Sequence, residues 1–221
     1  MSKYNAIIWD MDGTLLDTLD DLTDSVNAAL AEFRLPVRTR NEIKRFVGNG
    51  IMKLVERSVP DGKEQAQFEE IFSFFKNHYD KNCRNKTKPY DGLEKVLPEL
   101  KAQGYRMAIV SNKIDSAVKE LAELYFGETI DTAIGETKGK RSKPYPDMVF
   151  DAMRILDAKT EESVYIGDSE VDLKTAENSG LNCISVSWGY REKMELQALG
   201  AKTIVDTPEE LADILICGGL S

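Results

Sequence analysis

The order of apolar and polar positions divides the chain into a helical block and a longer part in which strands and helices alternate. The first apolar run, residues 6–9, has the length of a buried strand and stops at two acidic residues. From residue 16 to residue 86, apolar residues recur at three- and four-residue spacing, which is typical of amphipathic helices. Beyond residue 86, short apolar runs alternate with helical patterns, which indicates a different architecture.

The pattern predicts individual elements in both parts. Strands are expected at residues 6–9, 106–110, 132–134, 164–166, 183–186 and 203–205. Helices are expected at residues 19–33, 40–47, 51–59, 63–82, 93–103, 115–125, 146–156 and 170–179. Thr39 and Glu42 form a capping-box sequence, and Thr207 followed by Pro208 is typical of the start of one further helix.

Short apolar strands that alternate with helices indicate a parallel sheet covered on both faces. The expected fold is therefore α/β: a Rossmann-like, doubly wound parallel sheet core with an all-helical domain inserted after the first strand. The polar stretch 86–92 contains a proline and a glycine, as interdomain linkers do. We place the core at residues 1–15 and 87–221 and the helical insertion at residues 16–86.

Composition narrows the class of protein. In the 221 residues no apolar run approaches the ~20 residues needed to span a membrane. Residues 1–4 lead directly into the first strand and leave no room for a secretory signal, so we expect a cytoplasmic protein. The formal net charge of −9 argues against nucleic acid or an anionic membrane as partner, because both require a basic surface. A monomer and a homodimer both remain open.

The residue types available for chemistry are restricted. Cys83, Cys183 and Cys217 are far apart and odd in number, which favours neither a disulfide framework nor a thiolate metal site. The one histidine, His78, lies inside a charged helical stretch, so most histidine-based mechanisms have little to draw on. Catalysis is therefore expected to depend on carboxylates, lysine and a hard metal ion.

Polar residues follow three of the expected strands. Asp10 and Asp12 follow the first strand, Ser111 follows the second, and Asp168 follows the strand at 164–166. Because ligands bind beyond the carboxyl ends of the strands in open parallel sheets, this coincidence indicates a site. Each residue alone has a simpler explanation: an Asp-Gly turn for Asp12, and N-capping of the following helix for Asp168.

A divalent cation would reduce the repulsion between several carboxylates at one edge of the sheet. Two carboxylates one residue apart repel each other unless a hard metal ion lies between them. Asp168 adds a third carboxylate, and Asp172 shares its face if a helix begins there. We therefore expect a Mg²⁺ site formed by Asp10, Asp12 and Asp168. Three roles remain for Asp172: a metal ligand, a partner of a ligand, or an acidic residue in the first turn of a helix.

The remaining candidates suit a phosphate group. Ser111 and Asn112 offer a hydroxyl and main-chain N–H groups near a helix start, where anions are favoured. Lys143 lies close to Pro144 and Pro146, which limit the freedom of the backbone and can aim the ammonium into the crevice. The alternative is a solvated basic loop. A metal, a lysine and hydroxyl or amide donors are the parts that phosphoryl transfer requires.

These residues, in this order, resemble the four motifs of the haloacid dehalogenase-like superfamily. The motifs are Asp10-Met11-Asp12-Gly13-Thr14, Ser111 at a strand end, Lys143-Pro144-x-Pro146 and Gly167-Asp168-x-x-x-Asp172. Three further segments, residues 15–18, 47–50 and 188–191, are similar to the phosphoglycolate phosphatase-like branch. The resemblance extends over the whole chain.

The resemblance implies a Mg²⁺-dependent phosphatase of small phosphorylated metabolites, with phosphoglycolate as the best single guess. Asp10 would be the nucleophile that forms an aspartyl-phosphate, and Asp12 the general acid and base. Ser111 and Lys143 would bind the phosphoryl group. The metal would be held by Asp10, the main-chain carbonyl of Asp12 and Asp168, with Asp172 in support. The helical insertion would be a mobile cap domain.

Two other functions fit the same motifs. One is a phosphomutase of the superfamily that transfers the phosphoryl group to a sugar phosphate. The other is a regulator that binds a phosphorylated metabolite without turnover. The segment 48–50, with Arg45 and Lys53 nearby, is the expected substrate-facing loop of the cap, although a plain helix break explains it equally well. The basic stretch 138–141 is unusual for the family and has no physical explanation at this level.

Overall fold

The computed structural model describes residues 3–218. Within this range the chain forms two compact units. One contains the described residues up to Leu16 and from Pro89 onward, and the other is Asp17–Lys88. The boundaries expected from the sequence, after residues 15 and 86, lie one and two residues from these division points.

The described part of the chain contains eight strands and ten helices. The strands are β1 (Ala6–Trp9), β2 (Leu16–Asp17), β3 (Lys88–Pro89), β4 (Arg106–Ile114), β5 (Thr132–Glu136), β6 (Ser163–Gly167), β7 (Asn182–Val186) and β8 (Thr203–Val205). The helices are α1 (Leu19–Glu32), α2 (Arg40–Phe46), α3 (Ile51–Ser58), α4 (Phe68–Asn82), α5 (Leu93–Ala102), α6 (Asp115–Phe126), α7 (Asp147–Ile155), α8 (Glu170–Ser179), α9 (Lys193–Ala198) and α10 (Pro208–Cys217).

Six strands form one parallel sheet in the order β5-β4-β1-β6-β7-β8. The first strand in sequence is therefore central, with β4 on one side and β6 on the other. Because strand residues alternate between faces, Ile7 and Trp9 pack in one apolar cluster and Ala6 and Ile8 in another. The first cluster includes residues of α5, α6 and α10, and the second includes residues of α7 and α8. The doubly wound α/β core predicted from the sequence is confirmed.

The unit Asp17–Lys88 is built from four helices. Val26, Leu30, Val55 and Phe75, from α1, α3 and α4, line a common apolar interior. The predicted capping box is present: the Thr39 hydroxyl accepts from the Glu42 N–H, and the Glu42 carboxylate accepts from the Thr39 N–H. Together these contacts fix the helices by packing and the start of α2 by hydrogen bonds.

Several sequence predictions differ from the structure, and the two-residue strands β2 and β3 lie where the sequence predicts no strand. The helix predicted at 63–82 begins at Phe68, because residues 63–67 contain no buried side chain. The strand predicted at 106–110 continues to Ile114, although Ser111, Asn112 and Lys113 carry no apolar signal. The short helix α9 was not predicted, since Leu196 is its one buried residue.

Two other expectations concern the whole chain. The three cysteines carry free thiols, as expected from their spacing. Among residues 3–218 no helix combines the length and the apolar composition needed to cross a membrane.

Candidate active site

Three neighbouring strands, β4, β1 and β6, end at the same edge of the sheet and place polar side chains there. The last residue of β1 lies opposite Ile109 and Ile166, and its successor Asp10 donates its main-chain N–H to the Ile166 carbonyl at 2.9 Å. Asp168 directly follows β6, and Ser111 lies in the last part of β4, two residues beyond Ile109. All three side chains belong to buried residues, with Asp10 6% and Asp168 1% exposed. The crevice expected from the sequence therefore brings these residues together.

Lys143 is a buried cation at this edge. Its Nζ lies 2.5 Å from Asp10 Oδ1, 2.9 Å from Asp172 Oδ1 and 3.0 Å from the Tyr165 hydroxyl. Burial alone would lower the pKa of Lys143, but the Asp10 and Asp172 carboxylates outweigh it and hold the pKa well above its usual value. Lys143 is thus a buried ammonium, not part of a solvated loop.

The Asn112 side chain fixes Lys143. Its Nδ2 donates to the Lys143 carbonyl at 3.0 Å, and its Oδ1 accepts from the Lys143 N–H at 2.7 Å. This pair of hydrogen bonds links the end of β4 to the loop that precedes α7. A phosphate contact of Asn112, as predicted from the sequence, would therefore have to come from its main chain, because both ends of its side chain are bonded to Lys143.

Asp10, Asp168 and Asp172 form a cluster of carboxylates. Each offers an oxygen, and these oxygens lie within 4.8 Å of one another. Burial raises the pKa of Asp10 to about 7, an effect that the Lys143 charge opposes and the Asp172 charge strengthens. Burial, followed by the charges of Asp172 and Asp10, also raises the pKa of Asp168 well above its usual range. The cluster carries more negative charge than its surroundings compensate.

This charge imbalance fits a hard divalent cation. Four carboxylates lie at this edge, and three of them, Asp10, Asp12 and Asp172, pair with the two buried ammonium groups of Lys143 and Lys113. The formal excess is two negative charges, which one divalent ion would offset. The donor set consists of oxygens, the ligands that Mg²⁺ prefers to nitrogen or sulfur.

Asp172 has its oxygens occupied by protein donors. Oδ1 accepts from Lys143 and from the Tyr165 hydroxyl at 3.0 Å, while Oδ2 accepts from the Ser169 N–H and hydroxyl at 3.2 and 2.6 Å. Asp172 and Ser169 also form the capping box that opens α8. The N-cap residue is thus Ser169, and the N-capping explanation for Asp168 is wrong. Asp172 holds the lysine and the start of the helix.

Asp12 has a separate environment. Its Oδ1 lies 2.8 Å from Lys113 Nζ, and its Oδ2 accepts from the Ser111 hydroxyl at 3.3 Å. The sequence interpretation did not assign a role to Lys113. Lys113 lies two residues after Ser111, and in a strand this spacing puts both side chains on one face. This relation can be recognised only if β4 is known to extend to residue 114.

The loop 188–191 joins the ends of β1 and β6. Trp188 Nε1 donates to the Thr14 carbonyl at 3.0 Å, and the Tyr190 N–H donates to Asp168 Oδ2 at 2.5 Å. Arg191 forms two hydrogen bonds with the Glu170 carboxylate, at 2.9 and 3.0 Å. The resemblance had marked this segment, but its partners could not be read from the sequence because they lie far away along the chain.

Two glycines allow the close approach at Asp168. A Cβ at Gly13 would lie 2.4 Å from Asp168 Oδ2, and a Cβ at Gly189 would lie 2.2 Å from the Gly13 carbonyl oxygen. Gly13 also has φ of +94°, which L side chains rarely adopt. Glycine is therefore required at both positions if Asp168 is to keep its place.

We expect Gly13→Ala to destabilise the protein and to reduce its activity, because the new methyl group collides with Asp168. The matched control is Gly139→Ala, since Gly139 has φ of +92° and open space around its Cβ position. Both variants carry the backbone strain, so the collision should make Gly13→Ala less stable by a further ~1–3 kcal/mol. Urea unfolding of the two variants measures the difference, and equal stabilities would contradict this account of the glycine.

The basic stretch 138–141 is explained by its neighbours. Lys140 pairs with Asp151, and Arg141 pairs with Asp147 at 2.9 Å. The Arg141 guanidinium also lies over the Tyr145 ring, 4.4 Å from its centre. Two of these charges thus dock the loop on α7, and exposed pairs of this kind contribute little stability each.

The chain matches known proteins along most of its length. Residues 7–186 match the family profile described as haloacid dehalogenase-like hydrolase. Phosphoglycolate phosphatase from Mannheimia succiniciproducens is 31% identical, with 97% of this chain and 98% of the relative covered. Phosphoglycolate phosphatase from Cereibacter sphaeroides is 34% identical, with 95% and 97% covered. The crystal structure of a candidate phosphoglycolate phosphatase from Lactobacillus delbrueckii subsp. bulgaricus is 36% identical and superimposes with a TM-score of 0.92, covering 96% and 98%.

Proposed function

Because the chain belongs to the haloacid dehalogenase-like hydrolase family, we propose that it hydrolyses a small phosphorylated metabolite by way of a phosphorylated Asp10. As a member of the phosphoglycolate phosphatase-like branch, it is a phosphoric monoester hydrolase. Phosphoglycolate is the substrate that the relatives' names favour. The observation that carries the mechanism is the Asp10 carboxylate, buried at the tip of β1 and held 2.5 Å from Lys143.

In the first step the Asp10 carboxylate attacks phosphorus. The new bond joins Asp10 to phosphorus, the bond to the leaving oxygen breaks, and Asp12 supplies the proton that this oxygen takes. The Lys143 ammonium, the Ser111 hydroxyl and the main chain of Asn112 bind the phosphoryl oxygens. Because these donors are fixed before the substrate arrives, they stabilise the charge that develops in the transition state.

In the second step water attacks phosphorus. The bond between phosphorus and Asp10 breaks, inorganic phosphate leaves, and the proton of the water passes to Asp12. Asp10 is a carboxylate again, and Asp12 carries the proton that the next leaving group needs. In each cycle Asp12 therefore donates one proton and takes one back.

A Mg²⁺ ion is part of the proposal. Asp10, the main-chain carbonyl of Asp12 and Asp168 would hold it, and Asp172 would support them through Lys143 and Ser169. When bound, it supplies the positive charge that offsets both the carboxylate cluster and the transferring phosphoryl group.

We assign the unit Asp17–Lys88 the part of a cap domain that selects the substrate. Within this unit Arg57 donates to the Phe46 carbonyl and to Asn49 Oδ1, both at 2.7 Å, and so shapes the segment 48–50. Lys53 pairs with Glu56 at 2.9 Å. These contacts support an ordered loop and leave Arg45 as the stronger candidate to meet an anionic substrate.

A panel of phosphorylated metabolites, assayed with Mg²⁺ and with EDTA, tests the proposal. We expect phosphate release with Mg²⁺, phosphoglycolate among the best substrates, and a fall of at least about 100-fold in EDTA that added Mg²⁺ restores. Asp168→Asn should raise the Mg²⁺ concentration needed for half-maximal activity by about tenfold or more, because loss of a ligand costs at least as much as loss of a residue that orients one.

Three outcomes would contradict this proposal. Failure to release phosphate from any monoester in the panel would contradict the proposed phosphatase activity. Phosphate release that changes neither with EDTA nor with the Asp168 substitution would contradict the role proposed for Mg²⁺. Transfer to a sugar phosphate that outpaces hydrolysis would indicate the phosphomutase alternative instead.

A further inference from the structure

Lys113 is the second buried lysine of the described chain, alongside Lys143. Burying an ammonium is costly unless a charged partner meets it, so a buried lysine at a strand end calls for an explanation. Lys143 meets Asp10 and Asp172, as described above. Lys113 meets Asp12, and neither the sequence motifs nor the proposed mechanism has used it.

Three contacts join Lys113, Ser111 and Asp12. The Lys113 ammonium lies 2.8 Å from Asp12 Oδ1, and the Ser111 hydroxyl donates to Asp12 Oδ2 at 3.3 Å. The Lys113 main-chain N–H donates back to the Ser111 hydroxyl at 3.1 Å. The Lys113 and Asp12 side chains are 6% and 18% exposed. Both oxygens of the Asp12 carboxylate are therefore directed toward the end of β4.

This direction separates Asp12 from the other carboxylates. The oxygens of Asp10, Asp168 and Asp172 converge on one another, and Asp12 is not part of that group. A carboxylate two residues from Asp10 would otherwise be drawn to the same cation, because Mg²⁺ accepts up to six oxygen ligands. The Lys113 ammonium, which is held in place by strand β4, competes with the cation for the Asp12 carboxylate.

We propose that Lys113 is a positioning residue for the second step, holding the Asp12 carboxylate where it can take the proton of the attacking water. The inference rests on the proposed function, since it assumes a phosphorylated Asp10. Without Lys113, Asp12 loses its orientation, and the phosphorylated Asp10 is formed faster than it is hydrolysed. A displacement of about 1 Å in such a group can cost about 10²-fold in rate.

The test uses p-nitrophenyl phosphate, whose good leaving group needs little help from Asp12 in the first step. In Lys113→Met and Lys113→Gln we expect a burst of about one p-nitrophenolate per enzyme, followed by turnover slowed about 10–100-fold. Lys113→Arg, which keeps the charge, should restore much of the rate. Lys119→Met is the matched control, because it removes an exposed lysine paired with Asp115 at 2.7 Å outside the site.

A double-mutant cycle with Asp12→Asn separates positioning from a general structural role. If Lys113 acts through Asp12, Lys113→Gln should add no more than about twofold to the loss caused by Asp12→Asn. Circular dichroism and thermal melting establish that each variant is folded. Lys113→Gln keeps a polar end group, so it carries the test if Lys113→Met does not fold.

Three results would overturn the inference. The first is a double variant whose loss in rate equals the losses of the two single variants multiplied together. The second is slower formation, in place of slower hydrolysis, of the phosphorylated enzyme. The third is a rise in KM for carboxylate-bearing substrates at unchanged kcat, which would make Lys113 a substrate ligand. A wild-type protein that is inactive on every monoester would instead refute the proposed function, and this result differs from all three results above.

Discussion

Asp10→Asn is expected to lower kcat for phosphate release by about 10⁴-fold or more, with the fold intact. The amide has the shape of the carboxylate but is not a nucleophile toward phosphorus, so the first step has no substitute. The fold should survive because Lys143 keeps its contact of 2.9 Å with Asp172, and because one of several mutually repelling buried charges is removed.

The measurement is steady-state hydrolysis at saturating Mg²⁺, with thermal melting of the same samples. Asp213→Asn, on the exposed side of α10, is the control and should be fully active. Asp10→Ala guards against slow deamidation of the new asparagine back to aspartate. An Asp10→Asn protein with more than a few per cent of the wild-type rate, confirmed with Asp10→Ala, would rule Asp10 out as the nucleophile.

Lys143→Met should have the largest effect on stability. It leaves the Asp10 and Asp172 carboxylates buried without the ammonium that lies 2.5 and 2.9 Å from them. Breaking a buried ion pair in this way typically costs about 3–5 kcal/mol of the free energy of unfolding. Activity should be lost as well, because the phosphoryl oxygens lose their cation.

The control for Lys143→Met comes from the same loop. Lys140→Met removes a lysine whose side chain is 45% exposed and pairs with Asp151, so a cost of about 1 kcal/mol or less is expected. Added Mg²⁺ should raise the melting temperature of Lys143→Met more than that of the wild type, since the site is then more negative. Equal stability of the two variants would contradict the role given to Lys143.

The edge of the sheet could be predicted because its signals are local. Apolar runs located β1 and β6, and the acidic residues directly after them followed from the sequence alone. Parallel topology then predicts that these residues share one edge, where Asp10 and Asp168 offer oxygens within 4.8 Å of each other and Ser111 contacts Asp12. Periodicity and the rule on strand ends were therefore sufficient to predict the fold and the edge at which the candidate site lies.

The partners within the site could not be predicted in the same way. Asn112 holds Lys143 across 31 positions, and Trp188 reaches Thr14 across 174. Such contacts depend on the packing of whole elements, which no local pattern encodes. Lys113 was missed for a second reason: polar residues at the end of β4 conceal the strand, and only the strand shows that Lys113 faces Asp12.

Chemical trapping of the phosphorylated residue tests the central claim most directly. An Asp12→Asn sample is mixed with p-nitrophenyl phosphate and Mg²⁺, quenched in acid and treated with borohydride, which reduces an aspartyl-phosphate to homoserine. Peptide mass spectrometry should find homoserine at position 10 and at no other aspartate. Homoserine at another position, or none while p-nitrophenolate is still released in a burst, would contradict phosphoryl transfer through Asp10.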